Sequence, residues 1–316
     1  MKSMARSLIA ENRRCRTPIS QKLERHFQFI DTLVTQGGPD ESDYELFGAW
    51  LDEIGGLAEK GELSRDEITE LQNRFGEASS PATLQGFSFL KPHGYAGDYE
   101  IIDKLYRRHI NPEKHLANWD RYFHTLPAVN AVRNRKTYFH ELLDRRVAHS
   151  SGALKVLNIA SGPGRDIYEY LSIHHDENIQ FHCVDHDPNA ISYAGALCAN
   201  YTGNVIFTHG NAVRFKPEPR YNLVWSAGLF DYFDDRLFVF VLKRLCSGLL
   251  PGGEAVIGNF SPCNPTRHYM RLMDWVLHYR DAGQLVDLAE RCGIRREQIS
   301  IGKEPEHINL FLHVRF

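Results

Sequence analysis

Polar and apolar positions divide the chain into two regimes. Over the first third, apolar residues recur at helical spacing. Leu23, Phe27, Ile30 and Val34 give one apolar face to a helix over 21–35. Tyr44, Phe47, Leu51, Ile54 and Ala58 do the same for a second helix, which the Gly61-Glu62-Leu63 turn ends. Ser64 followed by Glu67 is a capping box. It opens a third helix with Ile68, Leu71 and Phe75 inward, paired with the second as an antiparallel hairpin. Between Pro81 and Asp98 the period is lost in a loop rich in glycine and aromatic residues, and helical patterning returns over 99–108 and 129–147.

From Leu154 the pattern changes. Short β-prone runs at 155–160, 179–184, 205–208, 222–225 and 254–260 alternate with helical segments. That alternation predicts βαβ units, hence a parallel sheet with helices on both faces. Two further β-prone runs, 298–301 and 310–316, predict a closing hairpin on the sheet's edge.

Composition narrows the picture only a little. The 316 residues are 42% hydrophobic and 24% charged, which suits one large or two modest globular domains. A net charge of −3 gives no reason to expect a nucleic-acid partner. Charge is uneven at the start, where Lys2, Arg6, Arg13, Arg14, Arg16, Lys22 and Arg25 face only Glu11 and Glu24, and a solvated end is the expectation. The apolar run at 7–10 is too short for a signal peptide, and no run approaches a membrane span. Six scattered cysteines without a CxxC pair point to reduced thiols and a cytoplasmic setting. The sixteen histidines contain no HExxH, and His174 and His175, as helical neighbours, would point apart, so no metal site is expected.

The candidate chemistry starts at Val156-Leu157-Asn158-Ile159-Ala160-Ser161-Gly162-Pro163-Gly164-Arg165-Asp166, a buried strand running into a glycine turn and then a helix. Glycines let a ligand approach the backbone, and the helix start offers unpaired N–H groups. Asp185 follows Gly162 by 23 residues, at the end of the next strand, where a carboxylate can accept both ribose hydroxyls of a nucleoside. Asp187-Pro188 reads as an N-cap and first helical residue. Ile167 stands where a dinucleotide fingerprint needs a third small residue, and a P-loop lysine is missing, so neither NAD nor ATP fits.

These motifs resemble a class I S-adenosylmethionine-dependent methyltransferase over about residues 154–316. Ser161-Gly162-Pro163-Gly164 is similar to the motif that cradles the cofactor's methionine part, with Asp166 just beyond it. Val184-Asp185-His186-Asp187-Pro188 resembles the ribose-binding motif, and Gly210-Asn211-Ala212 the adenine-contacting Gly-Asp-Ala, with Asn for Asp. Tyr221-Asn222-Leu223-Val224-Trp225-Ser226 resembles the fourth strand, and Leu249-Leu250-Pro251-Gly252-Gly253 the turn before the fifth. The resemblance implies a Rossmann-like α/β fold, a mostly parallel sheet with an antiparallel last strand, and S-adenosylmethionine as cofactor. It divides the chain into a helical lid at 1–125 and a methyltransferase domain at 126–316.

A narrower resemblance joins Lys91-Pro92-His93-Gly94-Tyr95-Ala96-Gly97-Asp98, Ala131-Val132-Arg133-Asn134-Arg135 and Gly228-Leu229-Phe230-Asp231-Tyr232 to a bacterial subgroup. That subgroup makes 3-hydroxy fatty acid methyl esters, and lies close to enzymes that cyclise S-adenosylmethionine to azetidine-2-carboxylate. By this likeness Asn134, Tyr168, Asp231 and Tyr95 are the candidate catalytic residues. Arg133, Ser161, Gly162, Gly164, Asp166, Asp185, His186, Asn211, Ala212, Ser226 and Phe230 are the candidate cofactor contacts. Arg133 and Arg135 are alternatives for a clamp on the cofactor's carboxylate. Tyr168, Tyr170, Phe230, Asp231 and Tyr232 are expected around the sulfonium, and His93 with Tyr95 on the lid. Methyl transfer to a small or fatty hydroxy acid is the leading expectation. Cyclisation and a non-catalytic sensor are the alternatives, and dimerisation through the N-terminal helices is left open.

Overall fold

The strand-prone runs after residue 153 become a seven-stranded sheet. A computed structural model describes the backbone of residues 18–150, 152–174, 178–218 and 220–316, with side chains from residue 23 onward. The basic residues before Leu23, and His175, lie outside the residues so described. Chain contacts group into two compact units. Among the described residues, one runs up to Leu90 and takes in Ile110–Tyr122, and the other is Lys91–His109 with Phe123–Phe316. Residues 91–109 and 123–125 fall in the unit that holds the sheet.

The first unit is helical. It contains α1 (Pro18–Thr35), α2 (Tyr44–Glu59), α3 (Arg65–Arg74), α4 (Leu84–Leu90) and most of α6 (Lys114–Thr125). The capping box at Ser64 is present: its hydroxyl accepts from Glu67 N, and the Glu67 carboxylate accepts from Ser64 N at 2.8 Å. Phe47 sits at the centre, 4.7 Å from the Tyr122 ring and 5.9 Å from Trp119. Helix α3 also leans on α1, where the Arg74 guanidinium lies over Phe27 at 4.2 Å and bonds Asp31 at 2.6 Å. The stretch at 84–90, expected as loop, is helical. Gly86 N donates to Thr83 Oγ1, Leu84 N donates to Asp120, and Leu84 and Phe87 are buried, which together outweigh the local glycine.

In the second unit, α5 (Tyr99–Tyr106) and α7 (Pro127–Ala148) precede a β/α succession: β1 (Leu154–Ile159), α8 (Arg165–Ile173), β2 (Ile179–Asp185), α9 (Pro188–Leu197), β3 (Val205–His209), β4 (Tyr221–Ser226), α10 (Asp235–Cys246) and β5 (Leu249–Phe260). Helices α11 (Arg267–Leu272) and α12 (Ala282–Arg291) lead to β6 (Ile299–Lys303) and β7 (Asn309–Arg315). The strand order is β3-β2-β1-β4-β5-β7-β6, with β1 to β5 parallel and β7 antiparallel to both neighbours. β5 begins earlier than the sequence pattern indicates, because Leu249 already pairs with Tyr221 before a register shift. One apolar layer joins Leu157, Val224 and Ile257 to α10 and α12, and the other joins Val156, Phe181 and Trp225 to α7 and α8. Asp103 ties α5 down, accepting from Tyr193 Oη at 2.8 Å and pairing with Arg165. The order reverses between β1 and β4, the switch point at whose carboxyl end α/β sheets bind ligands.

Candidate active site

At the end of β1 the chain passes through three left-handed residues, Ala160 (φ +54°), Gly162 (φ +57°) and Gly164 (φ +64°). The turn is pinned to β2, since Ala160 N donates to Val184 O at 2.8 Å. The two glycines do different work. A Cβ on Gly162 would meet nothing within 4 Å, whereas one on Gly164 would press Ala194 Cβ at 3.0 Å. Gly162 thus leaves an open face, and Gly164 lets α8 approach α9.

Asp185, buried at the end of β2, holds this loop. Its Oδ2 accepts from Gly162 N at 2.8 Å and its Oδ1 from Asp187 N at 3.0 Å. Oδ2 keeps a further lone pair for a ligand hydroxyl. A hydrogen bond to Asp185 raises the His186 pKa above its ordinary value. Asp187 caps α9 by accepting from Asn189 N at 2.8 Å, and its other oxygen accepts from Tyr95 Oη at 3.2 Å.

These residues border a cavity of about 330 Å³. Ser161, Gly162, Asp166, Asp185, His186 and Tyr95 line it, so six of the expected site residues come together there. Its polar side also holds Asn158 and Arg135, and its apolar side Tyr99, Ile102, Tyr106, Trp225, Leu229 and Tyr232. Among the described residues six buried side-chain polar atoms have no hydrogen-bond partner, and three of them, Arg135 Nε, Asn158 Nδ2 and Ser161 Oγ, belong to this wall. Buried polar groups are rarely left unpaired, so their convergence marks a ligand position. Burial pushes the Asp166 carboxyl up to about 6, although Ile167 N, Arg135 and Lys136 pull it back.

Several expected residues lie elsewhere, and helical phase explains most of them. On α7, consecutive residues turn by about 100°, so only one of three neighbours can face the cavity. That one is Arg135. Arg133 instead donates to His124 Nδ1 (3.1 Å), to His124 O (2.9 Å) and to Asn130. Asn134 donates to Glu304 Oε2 at 2.9 Å. On α8, Asp166 faces the cavity. Tyr168 points away toward Tyr201 at 6.1 Å, and Tyr170 lies a turn further along, stacked on His174 at 4.4 Å.

Phe230 packs on Phe238 at 4.8 Å in the core. Asp231 is buried beneath the site, accepting from Phe260 N at 2.6 Å, and burial pushes its carboxyl up to about 6. Of Phe230, Asp231 and Tyr232, only Tyr232 lines the cavity, beside Gly228 and Leu229. Ser226 Oγ donates to Ile159 O at 3.0 Å and so joins β4 to β1. Asn211 accepts from Val213 N at 2.9 Å as a turn residue, and Ala212 packs against the core, both outside the cavity lining. Gly164 is likewise outside it. His93 Nε2 bonds Glu100 at 3.1 Å.

Among the wall residues not singled out from sequence, four carry a signal that could have found them. Asn158 carries a readable signal, a polar residue inside the apolar run Val156–Ile159. Tyr99, Ile102 and Tyr106 carry another, since their spacing of three and four residues puts them on one face of α5.

The match to known families falls on this region. Residues 156–253 match the family model described as a methyltransferase domain. With the sheet order and the glycine loop above, that match gives the sheet unit a Rossmann-like methyltransferase fold. No curated protein matches the chain. Among solved structures it is similar to a Bordetella parapertussis protein described as a possible exported protein, at 20% identity and a TM-score of 0.59, covering 95% of this chain and 99% of that one. It is also similar to a candidate O-methyltransferase from Nostoc punctiforme, at 14% identity and a TM-score of 0.51, covering 73% and 72%. Likeness at these identities speaks for the fold. No helix among the described residues is long and apolar enough to cross a membrane.

Proposed function

We propose that this protein is an enzyme of small-molecule metabolism that transfers the methyl group of S-adenosylmethionine to a carboxylic acid, a small or fatty hydroxy acid. The observation that carries the reading is the convergence of Arg135 Nε, Asn158 Nδ2 and Ser161 Oγ, all unpartnered, on the cavity that Asp185 and Gly162 border. Asp185 accepts the ribose hydroxyls, and the open face of Gly162 lets the methionine part lie against the backbone. Arg135 and Asn158 donate to its carboxylate, and Asp166 accepts from its ammonium. The faces of Tyr99, Tyr106 and Trp225 stabilise the sulfonium.

The sulfonium supplies an activated methyl group. The residues of the chain supply alignment and a wall that excludes water. A carboxylate acceptor needs no general base. That agrees with Tyr95, whose pKa is raised by burial and by Asp185 and Asp187, so that its phenol stays protonated and donates.

One observation favours cyclisation as a second reading. A cavity of about 330 Å³ is at the low end for a single ligand, near the bottom of the roughly 300–1,000 Å³ range of pockets. An intramolecular reaction needs no room for an acceptor. The product decides between the two. Purified protein should release S-adenosylhomocysteine from S-adenosylmethionine only when a hydroxy acid is added. Methylthioadenosine formed from the cofactor alone would replace methyl transfer with cyclisation, and binding without either product would indicate a sensor.

A further inference from the structure

The segment 91–98 crosses the cavity, and Tyr95, Ala96 and Gly97 line it. It is fastened at three separate points. Lys91 pairs with Asp274 at the surface. Tyr95 donates to Asp187, its ring 4.9 Å from His186. Between them, Tyr232 Oη donates to Ala96 O at 2.9 Å and accepts from Trp275 Nε1 at 2.9 Å.

The three fastenings are unequal. An exposed ion pair such as Lys91–Asp274 contributes little in water. The Tyr95–Asp187 bond, at 3.2 Å, is long for two oxygens. The Tyr232 hydroxyl is used in both directions, as donor and acceptor, at good distances. The chain is also shaped for this contact: Gly97 has φ +70°, and a Cβ there would meet Tyr232 Oη at 2.9 Å and the Trp275 ring at 3.0 Å. Only glycine at this position lets the strap lie so close to the aromatic pair.

We propose that residues 91–98 are a strap over the cavity, that the Tyr232 hydroxyl is its latch, and that opening of the Ala96–Tyr232–Trp275 chain admits and releases the ligand. Tyr232 is then a positioning residue, holding the strap so that Tyr95 reaches Asp187. Because Asp187 also caps α9 two residues after Asp185, strap and ligand anchor share one helix start, and an occupied Asp185 favours the closed strap. The ligand's identity rests on the function proposed above, whereas the latch does not.

Trp275 provides the probe, being half-buried where Trp50, Trp119 and Trp225 are buried. Release of S-adenosylhomocysteine from the full-length protein is followed by stopped-flow tryptophan fluorescence, comparing the unmodified chain with Tyr232→Phe. Loss of one hydroxyl with both its bonds should speed release about tenfold, the scale of one to two ordinary hydrogen bonds. The KM for S-adenosylmethionine should rise with kcat held or increased. Trp275→Phe, which keeps an aromatic ring and loses the N–H, should show the same split, read by a fluorescent cofactor analogue. Hydrogen exchange at residues 93–98 without ligand should quicken in both variants. Unchanged exchange there, or an unchanged release rate with a fall in kcat, would overturn the latch. If the unmodified chain binds no S-adenosylhomocysteine, the ligand assignment fails while the exchange experiment still decides the strap.

Discussion

The clearest test of the site's electrostatics is Asp166→Asn, because asparagine keeps the shape and the oxygen that accepts from Ile167 N at 3.0 Å. A carboxyl that titrates at about 6 rather than near 3.8 favours its protonated form by about 3 kcal/mol more than in the unfolded chain. The sign follows from which state binds the proton. Below pH 4 the group is protonated in both states, and the folded protein bears no penalty. Between pH 4 and 6 the unfolded chain ionises first, so stability falls as pH rises. Above pH 6 the folded carboxylate is ionised and buried, and the cost is fully present. Asparagine does not titrate. Relative to the unmodified chain, Asp166→Asn should therefore gain about 3 kcal/mol between pH 4 and pH 8. In melting temperature this is roughly 6–12 °C for a unit of about two hundred residues. Asp231 also titrates at about 6, but it is present in both proteins and cancels. Calorimetric melting of both proteins at pH 4, 5, 6, 7 and 8, without cofactor, provides the measurement. A difference that stays flat across that range would show that Asp166 is solvated or neutralised in the folded protein, and the reasoning from burial would be wrong.

Two further tests address ligand binding. Asp185→Ala removes the ribose acceptor, and should weaken S-adenosylmethionine binding by about 1.5–3 kcal/mol, as for hydrogen bonds to a charged group; calorimetry giving unchanged affinity would place the nucleoside elsewhere. Arg135→Gln and Arg133→Gln should behave oppositely, because only Arg135 lines the cavity. The first should lower cofactor affinity at least tenfold, on the same scale, and the second should leave it within about twofold; equal losses in an equilibrium titration would refute the assignment of the clamp.

What the sequence made legible was whatever depends on near neighbours or on period. The seven strands, the Ser64 capping box and the Asp187 cap could be read because each rests on side chains a few residues apart. Gly162 and Asp185 could be placed together because parallel pairing of β1 with β2 brings the two strand ends side by side. The choice among Arg133, Asn134 and Arg135 was not legible, since it depends on the rotation of α7 about its axis, which the sheet and the 91–109 segment set. Tyr168 and Phe230 misled for a related reason. Their residue type suits a sulfonium, but a helix turns every side chain through a full circle, and packing decides which arc meets the cavity. Helix α4 could not be seen because its start is held by Asp120, 36 residues downstream of Leu84.

The anchoring of the cavity on two different kinds of support has a consequence for how such a protein can change. Asp185, Asn158 and the loop around Gly162 hang from β1 and β2, whose pairing runs unbroken from Leu154–Ile179 to Ile159–Val184. A substitution there disturbs a ladder of main-chain bonds, and the loss spreads to every strand beyond it. Tyr95, Ala96 and Tyr232 belong to short connections, fastened by a few side-chain contacts that can be exchanged one at a time. Mutational tolerance should therefore be graded across this one cavity, low at the Asp185 end and higher along the strap, Gly97 excepted. A directed-evolution library belongs on Tyr95, Ala96, Leu229 and Tyr232, which line the cavity, and should spare Gly97, Phe230 and Asp231, which the packing holds.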